Sequence, residues 1–356
     1  MTIVYILAAV LLFSLLIAVH ELGHFLAAKA CGVQVNEFSI GMGPCLWERQ
    51  GGETQYSLRL LPIGGFCAME GEEEQSSNPR ALNNQGFWKK LVIFAAGAFM
   101  NLLTGFIIVV ILYSGAQQFL IPTVSGVAPE FQANNGAVLE ENDVFYAING
   151  RRVYVYSDVD LLLGLHKGRP LDLVVLRDGK KVELKNLEWS EYTAADGSSR
   201  YTGYGIYRSV KTEPATLGSK LRMSWLNTVD FARIVWLSLE MLVTGQAGLD
   251  DVSGPVGIVS TITEIGKESE NTRQAIDNIL YIGALIAVNL AVMNLLPVPA
   301  LDGGHIFFLL LNTLAVKLFQ KRIPDRYENA LNGACFGLLM GLMLLITFHD
   351  VFKLFQ

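Results

Sequence analysis

The stretch Ala18-Val19-His20-Glu21-Leu22-Gly23-His24-Phe25 decides how the rest of this chain is interpreted, because it is an H-E-x-x-H pattern inside an apolar run. On a helix, residues four apart share one face, so the imidazoles of His20 and His24 can bind the same metal ion. Glu21 adjoins the first histidine and can take a proton from a water bound to that ion. The pattern predicts a zinc hydrolase site. A chance match and a structural metal site are the alternatives, and the second would not require Glu21.

The composition indicates an integral membrane protein. Of the 356 residues, 51% are hydrophobic and only 17% are charged, which is unusual for a soluble domain. The net charge of -6 gives no basic footprint, so nucleic-acid binding is not expected. The four cysteines lack CxxC spacing and predict reduced thiols without a disulfide framework or a cysteine zinc site. No cationic segment precedes the first apolar run, which we therefore expect to be a retained membrane helix and not a cleaved signal peptide.

Four apolar segments predict a polytopic α-helical membrane protein with four transmembrane segments. They lie at Ile3–Ala30, Leu91–Tyr113, Ile279–Phe319 and Leu331–Phe348. The third segment is too long for one straight helix, because its 41 residues would span about 60 Å, twice the hydrocarbon core. Two prolines and a glycine pair interrupt it within residues 294–305, so we expect a broken helix. Small residues predict close helix packing in the second and fourth segments: Gly97, Ala98, Gly333, Ala334, Gly337 and Gly341.

The interruption in the third segment presents an acidic residue at membrane depth. Irregular backbone at this depth is tolerated only inside protein or beside a water-filled cavity. Asp302 is therefore predicted to supply the third metal ligand. A turn at the membrane boundary is the alternative interpretation of Asp302, and His305 is a less favoured ligand.

Three asparagines are candidates for binding a substrate. Asn101 and His20 both lie roughly 15 Å from the same side of the membrane, so Asn101 is expected at the depth of the motif. An amide that only packs two helices together is the alternative. Asn294, and less so Asn289, could donate a hydrogen bond to a substrate carbonyl or its oxyanion.

The polar loop at 31–90 contains a predicted β-hairpin, with strands at Cys45–Gln50 and Thr54–Leu61 around Gly51-Gly52. The hairpin could offer a strand edge to an extended substrate, or it could merely seal the membrane face. Basic residues cluster in 29–90 and 317–326, so both loops are predicted to face the cytoplasm. The active site then lies near the cytoplasmic side, and both termini face outward.

Residues 115–212 differ from the rest, since they are charged, β-branched and rich in turn residues. They predict a small β-rich module outside the cell membrane. Its predicted strands are 120–127, 144–148, 152–156, 171–177 and 181–187, with a helix at 157–165. Residues 217–242 are predicted to form an amphipathic or interfacial helix, and 253–258 a structured turn. The predicted domains are 1–114, 115–212, a linker at 213–275, and a C-terminal membrane half at 276–356.

Together these residues resemble the site-2 protease family of intramembrane zinc metalloproteases, in its bacterial branch of regulators of sigma-factor proteolysis. The resemblance covers essentially the whole chain and is carried by four motifs: His20–His24, Gly97-Ala98 with Asn101, Ser253–Gly257, and Asn294–Gly304. It implies that His20, His24 and Asp302 bind Zn²⁺ and that Glu21 is catalytic. It also implies a membrane-associated β-hairpin loop at 38–66 and a single PDZ-like domain at 115–212. The usual Gly-Asp of that domain is Asn142-Asp143 here, so no peptide-binding residues are assigned within it.

The resemblance further implies a protease that cuts within transmembrane segments of single-pass membrane proteins in the lipid bilayer. Anti-sigma factors and remnant signal peptides are the substrates it suggests, trimmed beforehand by a site-1-type protease. Two other functions stay open. A metal-ion transporter could present His and Asp at a broken helix, although it would not need Glu21 and no paired repeats are found. A non-catalytic membrane adaptor could act through its PDZ-like module.

Overall fold

The computed structural model describes residues 2–72, 74–136, 138–193, 200–248, 252–321 and 324–353. The helices are α1 Thr2–Cys31, α2 Phe87–Ser114, α3 Pro129–Asn135, α4 Asp158–Gly164, α5 Leu217–Val243, α6 Pro255–Glu268, α7 Thr272–Asn294, α8 Asp302–Phe319 and α9 Asp325–Lys353. The strands are β1 Val35–Gly51, β2 Thr54–Met69, β3 Gln118–Val127, β4 Val144–Ile148, β5 Arg151–Arg152, β6 Leu171–Arg177, β7 Lys180–Leu187, β8 Ser190–Thr193, β9 Arg200–Gly203 and β10 Ile206–Pro214. The chain divides into two compact units, one of residues 1–112 with 231–356 and one of residues 113–230.

Five helices among the described residues are long and apolar enough to cross a membrane: α1, α2, α7, α8 and α9. They expose large apolar side chains, such as Leu11 at 65%, Phe99 at 60% and Leu338 at 69%, as lipid-facing surfaces do. The polytopic helical architecture is thus confirmed. The predicted third segment consists of two helices, α7 and α8, separated by the loop at 295–301.

A small apolar core joins α1 to α6 and α7 within the first unit. Ala9, Leu12 and Leu16 of α1 pack with Ile262 of α6 and Ala287 of α7. Gly283 of α7 also packs on Leu12, and the Asn294 side chain lies against His20. The H-E-x-x-H end of α1 therefore meets the C-terminal end of α7.

The predicted hairpin is present and longer than expected, and it is folded into four short runs. Residues 35–40 of β1 pair with 65–69 on one side and with 55–58 on the other, while 45–51 pair with 54–59. The order is therefore 65–69, 35–40, 55–58 and 45–51. Both outer runs have no strand partner on their far side among the described residues.

An ion-pair cluster ties the hairpin turn to the end of α1. The Glu53 carboxylate accepts hydrogen bonds from Arg80 and Lys29, with the shortest N–O distance to each at 2.6 Å. These bonds hold the pKa of Glu53 at about 2, well below its usual range. The sheet is thereby attached beside the helix that carries the histidines.

The unit at 113–230 has its own sheet, in the order β10-β3-β4-β6-β7, with β5 paired to β4. Its core is formed by Val124, Phe131, Ile148, Leu162 and Leu173, with further buried apolar residues from the same elements. The predicted β4, β6, β7 and α4 agree with the observed elements to within one residue at each end. The sequence did not predict α3, β8, β9 and β10, because these segments are short or mix polar with apolar residues.

The strand predicted at 152–156 is wrong beyond Arg152. The backbone N–H groups of Tyr154 and Val155 donate to the Asp158 carboxylate, which draws this segment into the start of α4. Backbone that is hydrogen-bonded to a local side chain cannot also join a strand ladder.

Asn142, next to the buried Asp143, has a backbone conformation that glycine adopts readily. Asn142 has φ of 70°, a left-handed conformation that asparagine adopts more readily than most residues other than glycine. Burial raises the pKa of Asp143, but hydrogen bonds from Arg177 and the Glu140 N–H outweigh it and leave that pKa below its usual range. The buried carboxylate therefore stays ionised beside Arg177, at 2.7 Å.

Two further predictions in the membrane unit are wrong. Residues 253–258 are not an independent turn, because α6 begins at Pro255 and Asp350 of α9 accepts hydrogen bonds from the N–H groups of Gly254 and Gly257 at 2.9 and 2.8 Å. The glycine face of α9 is not packed either. A methyl group placed on Gly333, Gly337 or Gly341 would meet no atom of the described residues within 4 Å, the helix's own backbone apart.

Candidate metal centre

Three predicted residues meet at the end of α1 and the start of α8. The His20 Nε2 and His24 Nε2 atoms are 3.2 Å apart, and Asp302 Oδ2 lies 3.3 Å from the first and 3.4 Å from the second. Both histidines are buried, at 9% and 7% exposure. The three atoms form a nearly equilateral triangle around a single position that one metal ion could occupy.

This triangle has the dimensions that zinc requires. Ligands about 2.05 Å from a tetrahedral ion are about 3.3 Å from one another. The Oδ2 atom of Asp302 is also buried and accepts no hydrogen bond from the described residues, which would be costly without a cation to compensate it. The donor set of two imidazoles and one carboxylate leaves a fourth position open, as catalytic zinc sites do.

His24 is held in one tautomer by α2. Its Nδ1 lies 2.8 Å from the backbone carbonyl of Ile93. Because a carbonyl can only accept, Nδ1 carries the proton and Nε2 keeps its lone pair toward the metal position.

Asp302 is positioned by the break between α7 and α8. Leu301 is extended, and the N–H groups of Gly304 and His305 donate back to its carbonyl, so α8 starts with Asp302 as its first residue. The loop before it contains Ala300 at φ of 73°, whose N–H donates to the Asn332 side chain at 3.1 Å. The carboxylate therefore projects from a helix N-terminus, where a negative charge is favourable.

Gly97 was predicted from the sequence only to pack helices together, but it lies against both histidines. A Cβ at this position would lie 2.3 Å from His24 Nε2 and 2.6 Å from His20 Cε1. Such contacts are far inside van der Waals distance, so only glycine lets α2 approach the two histidines this closely. The i, i+4 spacing of Gly97 and Asn101 was the signal that both face α1.

The other predicted site residues divide into two groups. Asn101 is buried at 1% exposure, with its Nδ2 3.3 Å from His20 Nδ1, while the half-buried Asn294 has its Nδ2 3.4 Å from His20 Nε2. His305 does not join the cluster, since it faces Glu328 at 3.5 Å and stacks on the ring of Phe94. Asn289 is exposed and makes no hydrogen bond to the cluster within the described part of the chain, so the structure gives it no part in the site.

A cavity of about 690 Å³ opens onto the cluster. Its lining includes His20, Glu21, His24 and Asp302, together with residues 66–69 of the outer hairpin run. Gly65 packs against Glu21, because a Cβ there would lie 3.5 Å from its Cγ. The hairpin edge beside the metal position is therefore 65–69 and not the predicted Cys45–Leu61 segment.

The alternation of the strand turns part of the main-chain groups at 65–69 away from the run 35–40. The Glu70 N–H donates to Gln34, on the inner side, so the alternation of a strand turns the N–H groups of Gly65 and Cys67 outward. The N–H of Met69, which has the same orientation, donates instead to the Glu72 carboxylate at 3.1 Å.

Known proteins resemble this chain along nearly its whole length. The family model described as Peptidase family M50 matches residues 8–342. A protein of Clostridium perfringens, named as a predicted zinc metalloprotease, is 38% identical over 98% of each chain. The regulator of sigma-W protease RasP of Bacillus subtilis is 26% identical over 98% of this chain and 99% of its own. The zinc metalloprotease RasP of Bacillus licheniformis is 27% identical with the same coverage. The chain therefore belongs to peptidase family M50, the site-2 protease family of zinc metalloproteases.

Proposed function

We propose that this chain is an intramembrane zinc endopeptidase that cuts peptide bonds within transmembrane segments of other proteins. The observation that carries the proposal is the triangle of His20, His24 and Asp302, whose edges of 3.2 to 3.4 Å suit tetrahedral zinc. All three residues belong to helices long and apolar enough to cross a membrane. Ionisable groups in such helices are costly and are therefore functional by default.

The chemistry follows from the residues around that triangle. Zinc held by the three side chains would polarise a peptide carbonyl and make a water ligand more acidic. Glu21 lines the same cavity and takes the proton of the attacking water, then passes it to the leaving amine. Asn294, half-buried at the end of α7, donates to the substrate carbonyl as negative charge develops on it.

The substrate is held as an extended strand on the edge at 65–69. A helical substrate hides its carbonyls in internal hydrogen bonds, so it must unwind before attack. Strand addition to the outward N–H groups of Gly65 and Cys67 would replace the lost bonds. The position of this edge in the cavity lining, beside Glu21, supports it over the opposite edge at 45–51.

We also propose that α7 and α8 make one broken crossing, so that the chain crosses the membrane four times. Gly283 of α7 packs on Leu12 and Asn294 meets His20, so α7 runs parallel to α1. A second cavity is lined by Phe87 and Lys90 of α2 and by Leu309 and Val316 of α8, so α8 continues toward the start of α2. The basic ends at Lys29, Lys89-Lys90 and Lys317 then share one side, which the positive-inside rule assigns to the cytoplasm.

This topology has a direct test. Single cysteines at 272 and 319 should be labelled from opposite sides of the membrane if α7 and α8 make one crossing. Labelling from the same side would mean two crossings and five in all. With four crossings, both termini and the β-rich unit, which we interpret as PDZ-like, face outward.

The substrate class follows from the site and from the relatives. The name of the Bacillus subtilis relative, a regulator of sigma-W protease, supports anti-sigma factors, and remnant signal peptides share their single apolar helix. We propose that a site-1-type protease trims these single-pass proteins before they reach the active site.

The Glu21→Gln variant tests the function. It should bind zinc with the stoichiometry of the wild type, because Glu21 is not one of the three ligands, and should lose at least about 100-fold in cleavage of a membrane-embedded reporter. Retained cleavage would contradict the mechanism. Photo-cross-linkers placed in the trapped substrate should react with 65–69, and reaction with 45–51 would move the substrate to the opposite edge.

A further inference from the structure

His20 can bind a metal through Nε2 only if its other ring nitrogen carries the proton. A neutral imidazole has one N–H and one lone pair, and the partner of the N–H decides which nitrogen is which. In His24 that partner is the Ile93 carbonyl. The corresponding partner in His20 must be an acceptor near Nδ1.

Among the residues that the structure describes, two side-chain amides lie near His20 Nδ1. Asn101 Nδ2 lies 3.3 Å away and Asn294 Nδ2 lies 3.5 Å away. In both amides the Nδ2 donor faces a ring nitrogen that must itself donate. The oxygen and nitrogen ends of an amide exchange by a half-turn about its last bond, and the hydrogen-bond network decides between the two orientations.

Asn101 has an oxygen that needs such a partner. Its side chain is 1% exposed, and its Oδ1 is buried without a hydrogen bond to the described residues. Asn294 is only half-buried, and its Oδ1 is not among the buried acceptors that lack a partner in the described part of the chain. The buried amide is therefore the one whose orientation the site must fix.

We infer that Asn101 is a positioning residue, whose Oδ1 accepts the Nδ1 proton of His20 and so leaves Nε2 free to bind zinc. The inference rests on the proposed zinc site and assigns Asn101 a role through His20 instead of contact with the substrate. Ile93 and Asn101, on the same helix α2, then set the two histidines in matching tautomers. Groups that orient metal ligands in this way typically contribute 10–100-fold to metal affinity.

The test is the zinc affinity of the purified full chain in detergent, measured by competition with a chromophoric chelator. Asn101→Leu has nearly the same volume and no acceptor, and should bind zinc about 10–100-fold more weakly. Asn101→Asp keeps an acceptor at the same place and should restore at least the wild-type affinity. Thr104→Val is the matched control and should leave the affinity unchanged, because the Thr104 hydroxyl, among the described residues, donates only to the Met100 carbonyl of its own helix.

Several results would overturn the inference. One is that Asn101→Leu binds zinc as tightly as the wild type. Another is that Asn101→Asp loses as much zinc affinity as Asn101→Leu, which would mean that Asn101 acts only by packing between helices. A loss confined to Asn294→Leu would assign the acceptor to Asn294. If the wild-type protein bound no zinc, the proposed metal site itself would be refuted, and the inference would fall with it. That outcome is distinguishable because it is seen without any Asn101 variant.

Discussion

Two glycine-bearing helices of the membrane unit look alike in sequence and lie in opposite surroundings. In α2, Gly97 touches both histidines of the metal centre. In α9, Gly333, Gly337 and Gly341 face no atom of the described residues within 4 Å of the position that a side chain would occupy. Both faces match the small-residue pattern that predicts close helix packing.

The difference shows that such a pattern permits close approach without specifying the partner. Gly97 has a partner because α2 is attached to α1 by the His24–Ile93 hydrogen bond. The contacts of α9 lie mainly near its ends, where Asn332 meets Ala300 and Asp350 caps α6. Within the described part of the chain, residues 333–345 of α9 make no side-chain hydrogen bond to another element, and the three glycines are exposed.

The largest expected effect is at Gly97. The Gly97→Ala variant places a methyl group 2.3 Å from His24 Nε2, so one or both histidines must move. We expect loss of stoichiometric zinc and of proteolysis, measured by metal analysis and a membrane-embedded reporter.

Gly105→Ala is the matched control on the same helix. Its methyl would press on Val288 Cγ2 and on the backbone carbonyl of Ala284 in α7, about two helical turns from Gly97, so stability should fall while zinc is retained. If Gly97→Ala bound zinc normally, the close approach of α2 would not be needed.

A smaller effect is expected at the C-terminal attachment of α9. Asp350→Ala removes the acceptor for two N–H groups at the start of α6, and loss of such a cap costs about 1–2 kcal/mol. Hydrogen exchange should speed up at residues 254–257 and 346–350. Asp350→Asn keeps an acceptor oxygen and should lie between the two proteins, whereas unchanged exchange in Asp350→Ala would show that the cap does not hold α9.

The smallest effect is expected on the open face of α9. Replacing Gly333, Gly337 and Gly341 together by alanine adds methyl groups that meet no neighbour. Alanine in a helix is favoured over glycine by about 0.5–1 kcal/mol per position, so thermal stability and zinc content should be kept or improved. A marked loss of activity would mean that a partner packs on this face during catalysis.

The sequence was sufficient for the features that depend on local pattern. The H-E-x-x-H spacing placed His20 and His24 on one face, and the prolines and glycines of 294–305 predicted the break from which Asp302 projects. The long apolar runs predicted α1, α2 and α9, although α9 begins six residues earlier than expected.

The remaining features depend on contacts between distant segments. Nothing in 253–258 indicates that Asp350, nearly a hundred residues later, caps a helix there. Bends divide the hairpin into four runs, so the strand edge beside the metal position is 65–69 and not the predicted 45–61. Likewise, residues 206–214 form a strand only because β3 is available as a partner.

The central claim is that His20, His24 and Asp302 together bind one zinc ion. X-ray absorption of the zinc-loaded full chain tests it most directly, with Asp302→Ala as the comparison. We predict one zinc per chain, bound by two imidazoles and oxygen ligands without sulfur, and a changed spectrum with much weaker binding in Asp302→Ala. A sulfur ligand, or zinc bound by Asp302→Ala with unchanged affinity and spectrum, would contradict the account.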